Sequence, residues 1–298
     1  MLINLILTIL LLNPASNVYF SDKPIFNIPD IDRTAVPERV NLENIGVKTT
    51  ADRFVAVDAS SGEVLLDRDV NAPQAIASIT KLMTALVILD LEPDWQDVVE
   101  MTKADETVGA YPHLYRGEEV LFLDLWKSAL ISSDNNAIMA MVRSLGFSVE
   151  EFSELMNKKA DELGMQNSSF AYPTGLDEHN LSTPMDVARL VYYSMEKNEI
   201  KETVTQGKYS FPILNSKKNR NIYSTDILID SFLNSSKYGY ELIGGKTGFL
   251  YESGYCLAVE IEKDGNSVII VVLNSDTIES RFQDVKVIGD WVFSNYEW

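Results

Sequence analysis

Ser78 and Lys81 form an S-x-x-K string at the start of a segment with helical periodicity. Because positions three apart lie on neighbouring turns of one helix face, the lysine amine can reach the serine hydroxyl. A neutral lysine can remove that proton if burial or a second cation lowers its pKa. A helix N-terminus would also direct backbone N–H groups toward developing negative charge. The alternative interpretation is a serine cap beside a solvated lysine.

A second string, S-D-N at Ser133, Asp134 and Asn135, lies between two predicted helices. It supplies a hydroxyl and an amide two positions apart, and a tight loop could direct both side chains the same way. The alternative interpretation is an ordinary polar turn that caps the helix predicted from residue 137.

Lys246, Thr247 and Gly248 form K-T-G at the end of a predicted strand, and more strand follows. The string resembles the end of a phosphate-binding loop, but that motif requires a glycine where this chain has Tyr240, and then a helix. We therefore reject a nucleotide site. A strand of this kind can instead place a cation and a hydroxyl beside a bound carboxylate, with glycines that allow close approach of a ligand backbone.

The remaining composition excludes several other chemistries. Only two histidines occur, His113 and His179, and neither H-E-x-x-H nor G-x-S-x-G is present, so the base of a hydrolase here is not expected to be histidine. The chain has 25 Lys and Arg against 44 Asp and Glu, a formal charge of −19, which disfavours binding to nucleic acid. A single cysteine, Cys256, excludes an intramolecular disulfide.

Hydrophobic periodicity predicts the elements that must position these strings. Residues 54–59 and 63–66 predict a strand hairpin, and residues 78–91 predict a helix that Ser78 opens and Pro93 ends. The middle of the chain is predicted to be mostly helical, with helices at residues 122–131, 137–145 and 149–163. Residues 182–186 predict the start of a further helix, with a hydroxyl cap and with Pro184 in the first turn, and this helix leads into residues 187–196.

The last third of the chain changes character. β-Branched and aromatic runs predict adjacent antiparallel strands at residues 242–248, 254–261 and 267–273, and residues 278–296 predict a closing helix. The order of elements predicts an α/β (α+β) fold, with an antiparallel sheet flanked by helices. In this fold the first and last strands meet across a mostly helical insertion.

The N-terminal part of the chain is organised differently. Residues 2–12 are almost wholly apolar, which predicts an export signal, with a retained anchor or a buried first element as alternatives. No Lys or Arg precedes Lys23. We predict a signal peptide or N-terminal membrane anchor at residues 1–20, an extended proline-containing linker at residues 21–52, and one large domain at residues 53–298.

The three strings S-x-x-K, S-D-N and K-T-G occur together in this order, each in its expected secondary structure. In this the chain resembles the low-molecular-mass penicillin-binding proteins that act as serine D-alanyl-D-alanine carboxypeptidases. The resemblance covers about residues 53–298, and it implies a catalytic domain with the β-lactamase/transpeptidase-like fold. Further matching segments are ASITKLMTA at residues 77–85, YPTGLD at 172–177, HNLSTP at 179–184 and SGYCL at 253–257.

The resemblance implies a role for each residue of the first two strings. Ser78 would be the nucleophile that forms the acyl-enzyme, and Lys81 would be the base that activates it. Ser133 would relay protons between Lys81, the leaving amine and Lys246, and Asn135 would hydrogen-bond the substrate backbone. No metal or other cofactor is implied.

The resemblance also implies how the substrate is held. Lys246 and Thr247 would bind the substrate carboxylate, or that of a β-lactam, and Gly248 belongs to the same substrate-binding strand. The oxyanion hole would use the backbone N–H groups of Ser78 and Phe249. Arg281 would help to grip the terminal carboxylate, with an exposed helix arginine as the alternative. The implied partners are peptidoglycan stem peptides and β-lactam antibiotics, met outside the cytoplasm.

Several features leave the reaction open. The chain ends soon after the closing helix, as in similar D,D-endopeptidases, so trimming of a terminal D-alanine and cleavage of a cross-link are both candidates. A class A β-lactamase would carry an E-x-x-L-N string, which is absent. A non-catalytic peptidoglycan-binding or penicillin-sensing module is the alternative outside enzymes. Gly245 stands where the family usually has a bulky residue, which predicts a wider carboxylate subsite.

Overall fold

The computed structural model describes residues 36–44, 46–108 and 112–298. The predicted signal or anchor at residues 1–20 lies outside the described residues, as does the first part of the predicted linker. Within the described ranges, no helix combines the length and the apolar character that are needed to cross a bilayer. A membrane tether through the N-terminal segment therefore stays a prediction.

The described chain combines a strand-rich part with a helical part. The strands are β1 (Glu38–Arg39), β2 (Arg53–Asp58), β3 (Val64–Arg68), β4 (Gln74–Ala75), β5 (Val98–Glu100), β6 (Glu119–Leu121), β7 (Leu181–Ser182), β8 (Lys208–Pro212), β9 (Asn219–Tyr223), β10 (Tyr240–Leu250), β11 (Gly254–Lys263), β12 (Asn266–Ser275) and β13 (Tyr296–Glu297). The helices are α1 (Thr80–Asp90), α2 (Phe122–Ile131), α3 (Asn135–Ser144), α4 (Val149–Glu162), α5 (Pro184–Met195), α6 (Asn198–Val204) and α7 (Ile278–Asn295).

The main sheet has the strand order β10-β11-β12-β2-β3, and each neighbouring pair is antiparallel. Strand β12 pairs with β2, with Ile270 opposite Ala56. The first and last strands of the domain therefore meet across the helical insertion, and the predicted α+β class is confirmed. The short strand pairs β1-β13, β4-β7, β5-β6 and β8-β9 lie outside this sheet.

Alternate residues of the central strands enter two separate cores, because successive side chains of a strand point to opposite faces. Val57 and Val271 pack into the larger core, which includes the buried faces of α1 to α5. Ala56 and Val272 pack into the smaller core against α7. Strand β10 forms one edge of the sheet and packs against the turn that carries Ser78. The S-x-x-K and K-T-G strings are thus brought together where the sheet meets the helical part.

Two predicted helix starts are wrong by a few residues. Ser78 does not open α1; it lies in a 3₁₀ turn at Ala77–Ile79, and no side chain caps this turn or α1. The Ser78 hydroxyl is instead in contact with the Lys81 amine. Helix α3 begins at Asn135, because Asp134 caps it by accepting a hydrogen bond from the Ala137 N–H.

The described part of the predicted linker packs against the domain that follows it. Strand β1 pairs with β13, with Glu38 opposite Glu297. The Thr50 hydroxyl donates to the Asp284 carboxylate of α7 at 2.8 Å, and the Ala51 N–H donates to the same carboxylate at 3.0 Å. The segment has little regular structure, but these bonds tie it to the closing helix.

Candidate active site

Ser78 and Lys81 lie side by side at the start of α1. The preceding residue, Ala77, has a φ of 48°, which is unusual for a residue with a side chain. Ser78 is partly accessible, whereas Lys81 is fully buried. The distance from Lys81 Nζ to Ser78 Oγ is 2.9 Å, which is within hydrogen-bond range. The residues predicted as nucleophile and base are therefore in contact.

The Lys81 amine is surrounded by hydrogen-bond acceptors from distant parts of the chain. It donates to Asn135 Oδ1 at 2.7 Å and to the Thr174 carbonyl oxygen at 2.7 Å. Burial, together with the nearby Lys246 amine, holds the pKa of Lys81 well below its usual value. A neutral amine has two N–H groups and one lone pair. In that form, the N–H groups can be directed at the two carbonyl oxygens, and the lone pair can accept the Ser78 hydroxyl proton.

The S-D-N loop is held in place by its central aspartate. Asp134 accepts hydrogen bonds from the Ala137 N–H at 3.2 Å and from the His113 N–H at 2.7 Å. The preceding Ser133 has a φ of 62°, in the left-handed region where a serine is strained. Strain of this kind persists only where the surrounding structure enforces it, and here the buried carboxylate of Asp134 supplies that constraint.

Lys246, on the K-T-G strand β10, faces the same loop from the other side. Its Nζ donates to Ser133 Oγ at 3.0 Å and to the Thr247 carbonyl oxygen at 3.2 Å. Two residues after Ser133, the Asn135 side chain holds Lys81. The S-D-N loop therefore contacts both lysines, and all three predicted strings converge at one site.

Lys246, Arg281 and Asp226 form a charged group that is nearly removed from solvent. Burial, with a further contribution from the Arg281 cation, lowers the pKa of Lys246 to about 7, and Asp226 acts in the opposite direction. Burial raises the pKa of Asp226 to about 6, although both cations oppose this shift. With all three groups ionised, one positive charge is left unbalanced. The site can therefore accommodate one bound carboxylate.

Gly248 allows β10 to lie against the turn that carries the nucleophile. A Cβ atom at Gly248 would lie 2.8 Å from the Ile76 carbonyl oxygen and 3.3 Å from the Ser78 backbone nitrogen, too close for a side chain. The next residue, Phe249, is 42% exposed and stacks on Tyr255 with a centroid distance of 4.3 Å. The two predicted oxyanion donors, Ser78 and Phe249, thus belong to neighbouring segments.

Arg281 is buried beside β10 and is not an exposed arginine of α7, so that alternative is wrong. Its Nη1 donates to the Gly248 carbonyl oxygen at 3.0 Å, and its guanidinium lies over the Phe282 ring at 4.8 Å. The arginine therefore supports the K-T-G strand directly. Its part in gripping the substrate carboxylate stays a prediction.

Gly245 does not open the carboxylate subsite, and the predicted widening is wrong. A Cβ atom at this position would lie 2.4 Å from the Ala258 carbonyl oxygen and 2.6 Å from Val259 Cγ1. The space that a bulky side chain would need is filled by strand β11. The missing side chain at Gly245 therefore allows strands β10 and β11 to pack closely.

Sequence reasoning missed the support that the loop before β7 gives to this site. Besides the Thr174 carbonyl, this loop contributes Gly175, where a Cβ atom would lie only 2.1 Å from the Ala77 carbonyl oxygen. The fully buried Asn180 donates to Thr80 Oγ1 at 3.1 Å. The family resemblance of the segments YPTGLD and HNLSTP was the one signal for this loop. The Thr174 contact itself could not be predicted from residue types, because every residue has a backbone carbonyl.

The fold and the site define a serine enzyme of the acyl-transfer class, in which a buried lysine contacts the serine hydroxyl. The family model described as D-alanyl-D-alanine carboxypeptidase matches residues 39–277. The chain belongs to the D-alanyl-D-alanine carboxypeptidase family and is a serine peptidase, which confirms the family predicted from the sequence.

Curated relatives carry two kinds of name. The chain is 30% identical over 240 residues to a D-alanyl-D-alanine endopeptidase of Pseudomonas aeruginosa, which covers 80% of this chain and 76% of the relative. It is 33% identical over 250 residues to the D-alanyl-D-alanine carboxypeptidase DacF of Bacillus subtilis, which covers 82% of this chain and 62% of the relative. The match thus spans less than two thirds of the DacF chain.

Solved structures of similar proteins share the fold over most of this chain. The Streptomyces K15 DD-transpeptidase superposes with a TM-score of 0.77 at 25% identity, covering 84% of this chain and 100% of that chain. Penicillin-binding protein D2 from Listeria monocytogenes in its cefotaxime-bound form gives a TM-score of 0.72 at 26% identity, with coverage of 84% and 100%. The predicted transpeptidase-like fold is confirmed.

Proposed function

We propose that this protein removes the terminal D-alanine of peptidoglycan stem peptides through an acyl-enzyme on Ser78. The observation that carries the proposal is the 2.9 Å contact between Ser78 Oγ and the buried amine of Lys81. The remaining hydrogen bonds of that amine go to Asn135 and Thr174, which keep it oriented. Relatives named D-alanyl-D-alanine carboxypeptidase support the choice of substrate.

In the first half-reaction, Lys81 Nζ accepts the hydroxyl proton of Ser78 while Oγ bonds to the carbonyl carbon of the penultimate D-alanine. The backbone N–H groups of Ser78 and Phe249 stabilise the oxyanion, and one such donor is worth ~3 kcal/mol in the barrier. The peptide C–N bond then breaks. The proton passes from Lys81 through Ser133 to the leaving amine, and free D-alanine departs.

Substrate recognition relies on groups that surround the reacting carbonyl. Lys246, Thr247 and Arg281 bind the terminal carboxylate, for which the buried site has one positive charge to spare. Asn135 accepts a hydrogen bond from Lys81 through its Oδ1 atom, so its Nδ2 group is the one that donates to the substrate backbone.

In the second half-reaction, a water molecule enters the place that the D-alanine has left. Lys81 accepts a proton from this water, and the hydroxide bonds to the acyl carbon. When the ester bond to Ser78 breaks, the serine oxygen takes the proton back from Lys81. The shortened stem peptide leaves with a new terminal carboxylate.

Cleavage of a peptide cross-link is the second candidate function. It is favoured by the relatives from Pseudomonas aeruginosa and Haemophilus influenzae that are named D-alanyl-D-alanine endopeptidase. The chemistry at Ser78 is the same, and only the group that leaves differs. The distinction therefore depends on the substrate and not on the catalytic residues.

Two purified muropeptides distinguish these functions: a monomer ending in D-Ala-D-Ala and a cross-linked dimer. Mass spectrometry follows products of the wild type and of Ser78→Ala. We expect D-alanine release from the monomer by the wild type alone. Faster cleavage of the dimer would favour the endopeptidase, and the absence of products from both would favour a non-catalytic binding module.

β-Lactam binding gives an independent test of the nucleophile. Penicillin should add its mass to the wild type and not to Ser78→Ala, and the adduct should persist because this chain lacks the E-x-x-L-N glutamate of class A β-lactamases. Rapid return to the unmodified mass would indicate a β-lactamase instead.

We place the reaction outside the cytoplasm, where peptidoglycan is exposed to such enzymes, with residues 1–20 serving as a signal peptide or anchor. Expression of the full chain followed by N-terminal analysis of the membrane and soluble extracytoplasmic fractions tests this. Cleavage after the apolar segment would indicate a signal peptide, an uncleaved chain in the membrane fraction would indicate an anchor, and a cytoplasmic chain would contradict both.

A further inference from the structure

Thr225 contacts both the end of α2 and the K-T-G strand, although it belongs to none of the three catalytic strings. It follows β9 and precedes a short 3₁₀ turn at Ile227–Asp230. Its backbone N–H donates to the carbonyl oxygen of Ile131, the last residue of α2 before the S-D-N loop, at 3.2 Å. Its Oγ1 lies 2.6 Å from Thr247 Oγ1 on the K-T-G strand. One residue therefore contacts both segments.

We propose that Thr225 is a positioning residue that orients the Thr247 hydroxyl toward the substrate carboxylate. The proposal rests on the proposed function, in which Thr247 binds that carboxylate. A carboxylate only accepts hydrogen bonds, so Thr247 must donate its single hydroxyl proton to the substrate. Thr247 Oγ1 is then an acceptor for Thr225, and the bond between the two threonines runs from Thr225 to Thr247.

A hydrogen bond donated by Thr225 to Thr247 strengthens the binding of the substrate carboxylate. A hydroxyl that accepts a hydrogen bond is polarised and becomes a better donor. Thr247 is only 4% exposed, so a protein group rather than bulk solvent must fix its rotation. Lys246 and Arg281 supply the positive charge of this region, but each already donates a hydrogen bond within the protein, to Ser133 and to the Gly248 carbonyl. The pair of hydroxyls adds a further donor whose direction is fixed.

The turn that carries Thr225 is held by its own hydrogen bonds. Ser224 Oγ accepts from the Asp226 N–H at 3.0 Å, and Asp226 Oδ1 accepts from the Leu228 N–H at 2.8 Å. Together with the bond to Ile131, these contacts fix Thr225 before a substrate arrives. The Thr225 hydroxyl is thus preorganised, and little side-chain entropy is lost when the substrate binds.

Two variants and two substrates test the proposal. Thr225→Val keeps the shape of the side chain and the backbone N–H but removes the hydroxyl, and Thr225→Ser keeps the hydroxyl. The substrates are an acyl-D-alanyl thioester of thioglycolate, whose leaving group ends in a carboxylate, and its uncharged methyl ester. We expect Thr225→Val to raise KM for the carboxylate substrate about fivefold with kcat unchanged, and to leave the ester kinetics unchanged.

Thr225→Ser should restore the KM of the carboxylate substrate, and thermal unfolding should show that each variant is folded. An equal loss with both substrates would reveal a general structural effect and overturn the proposal, as would an unchanged KM for the carboxylate substrate. If Thr225→Val does not fold, Thr225→Ala gives the same comparison. Failure of wild-type Ser78 to be acylated by either thioester would contradict the proposed function itself, so the two failures are distinguishable.

Discussion

Lys81 and Lys246 are both buried amines at one site, but their partners differ. Lys81 contacts the Ser78 hydroxyl and donates to the Asn135 amide and the Thr174 carbonyl. Lys246 instead donates to Ser133, and the Arg281 cation and the Asp226 carboxyl both act on its pKa. In the proposed function, contact with the nucleophile suits Lys81 to accept a proton, whereas a second cation nearby suits Lys246 to hold an anion.

The two lysines also influence each other. The Lys246 amine contributes to the low pKa of Lys81, because two like charges in one cleft are unfavourable. In the proposed function, a substrate carboxylate that binds Lys246 changes the net charge beside Lys81. Substrate binding and protonation of the base are then coupled through electrostatic interactions.

The largest expected effect comes from replacing Lys81, the proposed base. Lys81→Met keeps a long buried side chain but has no lone pair, so we expect acylation of Ser78 by penicillin to fall about 10³-fold. Intact mass at timed intervals measures the rate. Lys127→Met is the matched control, since Lys127 is a partly buried lysine of α2 that donates to Thr203. Equal acylation of wild type and Lys81→Met would show that another group is the base.

The pH dependence of kcat/KM tests whether Lys246 is the group that binds the substrate carboxylate. Because the pKa of Lys246 is lowered to about 7, the empty site loses this positive charge as the pH rises through that value. We compare kcat/KM for the carboxylate thioester with that for its methyl ester, since the ratio cancels the titration of Lys81. The ratio should fall by up to about tenfold per pH unit in the alkaline range.

In Lys246→Met the same ratio should be low and independent of pH, because no amine titrates at this position. Thermal unfolding checks that the variant is folded. The wild type is measured between about pH 6 and pH 9, a range that spans the pKa of Lys246. If the ratio of the two kcat/KM values does not change over this range, Lys246 is not the anion receptor.

The smallest expected effect is on stability. The unfolded chain holds a proton on Lys246 up to its ordinary pKa of 10.5, whereas the folded protein holds it only up to about 7. Between these values the unfolded state binds more protons, so the free energy of unfolding rises with pH. Relative to Lys246→Met, we expect the wild type to gain about 1 kcal/mol per pH unit between pH 7 and 9, measured by urea unfolding. A constant difference would show that Lys246 has an ordinary pKa.

The central strands and helices were predictable because their patterns are local. Helix α2 has the bounds predicted from periodicity, and β10 to β12 extend the predicted strands by a few residues at their ends. The start of α1 was predicted less well, since the contact of Ser78 with Lys81 replaces the expected cap. The capping rule fails there because the Ser78 hydroxyl contacts the Lys81 amine and not a backbone N–H group of the helix.

The candidate site was predictable only in part. Ser78 and Lys81 were identified from spacing within one helix, and the other two strings from their order along the chain. Thr174, Thr225 and Asp226 were not identified, because a backbone carbonyl, a hydroxyl pair and a buried carboxyl act through contacts with distant segments. The expected effect of Gly245 was wrong for the same reason, as strand β11 fills the space beside it.

By itself the sequence determined which side chains can react and that Ser78 lies within reach of Lys81, because these properties depend on residue type and short-range spacing. The family resemblance supplied the expectation that Lys81 is the base and Lys246 the anion receptor, but only the tertiary structure showed which groups lower the pKa of each amine. Both carry the same ammonium group in water, and the acidity of that group is set by burial and by neighbours from remote parts of the chain.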